Sequence, residues 1–148
     1  MKRSPLNLLW IEDSNDDVEL FSVAFARAEV EFNLEVRRDG QDGLDHLMRI
    51  RHTAAGRPDL ILLDLNLPKR DGREVLAEIK RNEELRMIPV IVLTTSNTDD
   101  DILNAYALGA CCYLVKPDGM PNLMKLAKAL SEFWEQVDLT PPIPARPG

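Results

Sequence analysis

Histidine and cysteine are scarce in this chain of 148 residues, at two each. The cysteines, Cys111 and Cys112, are adjacent and lie inside an apolar run. They read as reduced packing residues on opposite faces of a strand, not as a disulfide framework. That usage fits a cytoplasmic protein. His46 and His52 lack the spacing of a metal-binding pair and read as solvent-facing. No apolar run is long enough to cross a membrane. After MKRSPLN a short one ends at Glu12 and Asp13, which is not a signal peptide either. An excess of basic residues is also missing. The net charge of −7 does not favour binding to nucleic acid or to an anionic membrane, and it leaves basic protein partners open. No internal repeat is present. The length fits one domain, and an apolar content of 45% allows a sizeable core.

What is present is an alternation of apolar runs and helical patterns. Leu6 to Ile11 reads as a first strand, followed by a helix capped by Ser14 or Asn15 and running to about Ala28. Leu34 to Arg37 alternates like a half-exposed edge strand. Asp39-Gly40 reads as a turn, and Leu44, Leu47, Met48 and Arg51 mark a second helix. Leu60 to Leu63 is a third strand, and Glu74 to Asn82 a helix with Val75, Leu76 and Ile79 facing inward. Pro89 to Leu93 follows as a strand. Thr98 or Asp99 then caps a helix through Leu108 that Gly109 stops. Cys111 to Val115 is a fifth strand, and Pro121 or Asn122 opens a last helix ending near Val137. Right-handed crossovers give this (βα)5 pattern a central parallel sheet with helices on both faces, an α/β three-layer sandwich. The expected strand order is the flavodoxin-like 2-1-3-4-5, with the most uniformly apolar strands, the first, third and fourth, central. Residues 1–137 are expected to form that domain. Residues 138–148 hold four prolines and read as an extended tail, with no room for a second domain.

Four polar residues close four of the apolar runs: Asp13 after LLWIE, Asp64 after LILL, Thr94 after VIVL and Lys116 after CYLV. In a parallel sheet such strand ends share one edge, where open α/β folds place their sites. Glu12, Asp13 and Asp64 would repel one another there, and a hard divalent cation such as magnesium removes the conflict. Asp64 is the candidate nucleophile, since a carboxylate can form an aspartyl phosphate. Lys116 would neutralise charge on the phosphoryl oxygens, and Thr94 would donate its hydroxyl to one of them. The backbone carbonyl of Asn66 is a further candidate metal ligand. The Lys116–Pro117 bond is a candidate for a cis peptide that aims the lysine inward. A phosphatase of the haloacid dehalogenase type needs an acid two residues after the nucleophile, where this chain has Asn66. A flavin carrier needs a phosphate-cradling loop after the first strand, where EDSNDD would repel a phosphate.

Glu12-Asp13, Asp64 in LLDLNLP, Thr94 in VLTTS and Lys116-Pro117 together resemble the receiver domain of two-component response regulators. The match runs from about Leu6 to Val137. The resemblance implies that Asp64 accepts a phosphoryl group from a sensor histidine kinase, with Mg2+ as cofactor. It makes Asp13 a direct metal ligand, Glu12 a ligand through water, Thr94 and Lys116 the phosphoryl contacts, and Tyr113 the aromatic switch. LILLDLNLPKRDGREVLAEIK, VLTTSNTDDDI and FWEQV further resemble stand-alone regulators that partner bacterial phytochromes. Trp10 departs from the family, which usually carries an aliphatic residue there. Such a regulator is a signalling switch and not an enzyme beyond its own phosphotransfer and dephosphorylation. Its output passes to a downstream protein target or a phosphotransfer protein. Phe133 and Trp134 lie about 100° apart on the last helix, so one of them is expected to be exposed and to serve a homodimer surface. Asp99, Asp100 and Asp101 read as a cap followed by a solvated turn.

Overall fold

The computed structural model describes residues 5–136; the first four residues and 137–148, which include the expected tail and the expected helix end near Val137, lie outside them. Five strands, β1 (Leu6–Ile11), β2 (Phe32–Arg37), β3 (Leu60–Leu63), β4 (Val90–Thr94) and β5 (Cys112–Val115), alternate with five helices. The helices are α1 (Asn15–Arg27), α2 (Gly40–Ile50), α3 (Gly72–Arg81), α4 (Asp99–Ala107) and α5 (Met120–Gln136). All strand pairs are parallel, in the order β2-β1-β3-β4-β5 expected from the sequence.

Strand alternation divides the core in two. Leu9, Ile11, Ile61, Leu63, Val90 and Val92 face one side, with Leu44, Leu47, Val75, Leu76 and Ile79 packed over them. Leu8, Trp10, Leu60, Leu62, Ile91 and Leu93 face the other, under Phe21, Phe25, Ala127 and Leu130. Trp10 is fully buried, and its ring centroid lies 4.7 Å from that of Phe21. Filling this layer with an indole is how the chain absorbs its departure at that position.

Four of the helices start on side-chain caps. Ser14, Asp39, Asp71 and Thr98 each accept a backbone N–H in the first turn of their helix. Asp39 is therefore a cap and not one half of a free turn. β5 begins at Cys112, one residue later than the apolar run suggests. Cys111 is exposed at its rim, so only Cys112 packs against the sheet's neighbours. The apolar run around Cys111 reflects the short turn after Gly109, whose φ of 105° ends α4. No described peptide bond is cis, so Lys116–Pro117 is trans, and Lys116 reaches the sheet edge by its own length.

Candidate functional site

The parallel ladder carries hydrogen bonds past the strand ends, and these fix where each loop begins. Glu12 N donates to Arg37 O at 2.9 Å, Asp64 N to Ile11 O at 3.2 Å, and Lys116 N to Thr94 O at 2.8 Å. Glu12, Asp13, Asp64, Thr94 and Lys116 are thereby gathered at one edge, as the sequence pattern anticipates. Gly72 closes the floor. A Cβ on it would lie 2.1 Å from the carbonyl oxygen of Asp64, so only glycine lets α3 start this close behind the aspartate.

Asp64 is buried, and its two oxygens have different partners. Thr94 Oγ1 donates to Oδ1 at 2.8 Å and Asn66 N to the same oxygen at 3.2 Å, while Lys116 Nζ donates to Oδ2 at 3.2 Å. Lys116 also contacts Glu12 Oε2 and Asp17 Oδ2, each at 2.8 Å. Asp17, an acid in the first turn of α1 that suits the helix macrodipole, is thereby a partner of the lysine. Its place in the first turn after the strand-end acids was the available signal.

Glu12 has no solvent exposure, and burial together with the Asp64 charge pushes its carboxyl up to about 7 against the bonds from Lys116 and Ser14. Burial penalises the charge of Lys116, but its bonds to Asp17 and Glu12 and the charge of Asp64 prevail and hold it above the ordinary lysine range. Glu12, Asp13 and Asp64 each place a carboxylate oxygen within 4.8 Å of the others. All-oxygen donors, one of them exposed at Asp13, fit a hard cation that keeps some of its waters.

Tyr113 is half-buried on the α4 side of the sheet, and its hydroxyl donates to Ser96 O at 2.8 Å. Ser96 lies two residues past Thr94, so the tyrosine is tied to the loop that leaves the site. Among the acids of α4, Asp99 and Asp100 are solvated as expected. Asp101 is not: it accepts from Arg73 Nη2 at 2.8 Å and from Ser96 Oγ. The histidines stay outside the site. His52 is exposed beside Glu84, whereas His46 is half-buried, 3.1 Å from Arg37 Nη2. His46 is thus partly buried beside Arg37 and not the solvent-facing residue expected. On α5, Phe133 is 49% exposed, while Trp134 packs against the core.

The sequence profile of the response regulator receiver domain matches residues 8–128. Response regulator Rcp1 of Synechocystis sp. is 43% identical over 131 residues, covering 88% of this chain and 89% of that protein. The crystal structure of the Mn(2+)-bound form of response regulator Rcp1 superposes with a TM-score of 0.76 at 41% identity, covering 95% of this chain and 100% of that one. The phosphorylated cyanobacterial phytochrome response regulator RcpA gives 0.77 at 40% identity, covering 96% and 100%. Fold, sheet order, acidic edge and sequence agree on one assignment: the chain belongs to the response regulator receiver domain family, close to its phytochrome response regulators.

Proposed function

We propose that this chain is a stand-alone response regulator, with residues 1–137 as the receiver, in which Asp64 accepts a phosphoryl group from a sensor histidine kinase. The observation that carries the reading is the division of labour at Asp64, whose two oxygens are held by Thr94 and Lys116 beside Glu12 and Asp13. An Asp64 oxygen attacks phosphorus, the phosphorus–nitrogen bond of a phosphohistidine breaks, and the imidazole leaves with the electron pair and gains a proton. Lys116 and Thr94 then face two phosphoryl oxygens in place of the carboxylate they hold now. Asp13, Asp64 and the Asn66 carbonyl would hold Mg2+ directly and Glu12 through water; the ion supplies positive charge next to the transferring group. Hydrolysis of the aspartyl phosphate at the same site resets the switch.

Pull on Thr94 from the new phosphoryl group moves the loop that carries Ser96, and Tyr113 follows through its hydroxyl. The surface around α4, β5 and α5 changes with it. The relationship to a phytochrome response regulator supports a phytochrome-type kinase in the cytoplasm as the phosphodonor. The recipient of the signal is a protein target or a phosphotransfer protein, and the regulator itself is a homodimer whose contact includes Phe133. The test is transfer of labelled phosphate from the autophosphorylated kinase in Mg2+. Wild type is expected to take up acid-stable, alkali-labile label and Asp64→Asn none; equal labelling of both refutes the assignment.

A further inference from the structure

One ion pair joins the first turn of α3, behind Asp64, to the first turn of α4, behind Thr94, without entering the site. Arg73, in the first turn of α3, forks. Its Nη1 lies 3.2 Å from both carboxylate oxygens of Asp71, the cap of that helix. Its Nη2 donates to Asp101 Oδ1 at 2.8 Å across the gap to α4. The other oxygen of Asp101 accepts the Ser96 hydroxyl, and the Ser96 carbonyl accepts Tyr113. Side chains of Arg73 and Asp101 are 29% and 25% exposed, so water weakens the pair but does not surround it. A planar guanidinium bound at both ends fixes direction as well as distance, which a lysine cannot do.

We propose that Arg73 is a positioning residue: through Asp101 it orients Ser96 so that the Ser96 carbonyl meets Tyr113, holding the β4–α4 loop in the arrangement that aims Thr94 at Asp64. This rests on the phosphoacceptor reading for its kinetic consequence but not for its geometry. Cutting the relay anywhere frees the loop. Arg73→Ala, Asp101→Asn and Ser96→Ala therefore act in series, and a double variant does no more than a single one.

The chain has two tyrosines, Tyr106 and Tyr113, so incorporation of 3-fluorotyrosine gives two 19F signals, assignable with Tyr106→Phe and Tyr113→Phe. In unphosphorylated protein the Tyr113 signal is expected to move toward the solvent-exposed position in Arg73→Ala and in Ser96→Ala. Arg73→Lys should fail to restore it. Labelling by acetyl phosphate in Mg2+ should slow by about three- to tenfold in the same variants. Ser96→Ala removes one hydroxyl from a half-exposed loop and stays folded if Arg73→Ala does not. An unmoved Tyr113 signal in folded variants overturns the proposal, as does a moved signal with an unchanged labelling rate. A moved signal in a protein whose wild type takes no label would leave the relay standing and refute the phosphoacceptor reading instead.

Discussion

Glu12 is an acid with no solvent contact, held by one lysine and one backbone N–H. Its carboxyl is raised from 4.5 to about 7 in the folded, metal-free protein, so the folded state binds this proton more tightly than the unfolded chain. Between those two values the folded state carries the extra proton, and stability falls as pH rises. Below 4.5 and above about 7 this residue contributes no slope. The loss across the window is on the order of 3 kcal/mol. Urea unfolding in EDTA at pH 5 and pH 8 measures it. Wild type is expected to lose more stability between the two than Glu12→Gln, and parallel losses would contradict the burial argument. At this scale the acids were legible because each ends an apolar run. The roles of Asp17, Arg73 and Asp101 were not, because they depend on partners 99, 28 and 5 residues away along the chain.

At the scale of the element, α3 matters because it begins directly behind the candidate phosphoacceptor. Gly72→Ala would place a Cβ 2.1 Å from Asp64 O and 2.6 Å from the Leu65 Cα, both backbone atoms that cannot swing aside. Overpacking of this kind is expected to cost about 1–3 kcal/mol and to shift Asp64 from Thr94 and Lys116. The urea midpoint reports the first effect and the labelling rate the second; a variant unchanged in both would mean that α3 can retreat freely. The strands were readable from their apolar runs, handedness placed helices on both faces, and the sheet has the flavodoxin-like order, with the most uniformly apolar strands, β1, β3 and β4, in its interior. The edges of elements were less so. Cys111 looked like strand because apolar residues surround it, but strand pairing begins at Ile91 and Cys112. Lys116–Pro117 looked like a candidate cis bond because nothing local decides between isomers; the lysine reaches Asp64 from a trans one.

At the scale of the whole molecule, the adjacent aromatic residues of α5 have divided their work. Trp134 belongs to the core layer between α1 and α5, and Phe133 stands 49% exposed. A dimer formed on this face should therefore depend on Phe133. Phe133→Ala is expected to lower the sedimenting mass at micromolar protein while leaving unfolding within about 0.5 kcal/mol of wild type. Trp134→Ala should cost about 2 kcal/mol or more in stability, as lost core packing does. Unchanged mass in Phe133→Ala removes this face from self-association. The most direct measurement of the central claim is a crystal structure of the protein grown with Mg2+ and beryllofluoride. The account predicts a beryllofluoride group bonded to an Asp64 oxygen, contacted by Thr94 Oγ1 and Lys116 Nζ, with a metal ion on Asp13 and Asp64. An Asp64 carboxylate left bare, with its present bonds to Thr94 and Lys116 intact at saturating reagent, would contradict it.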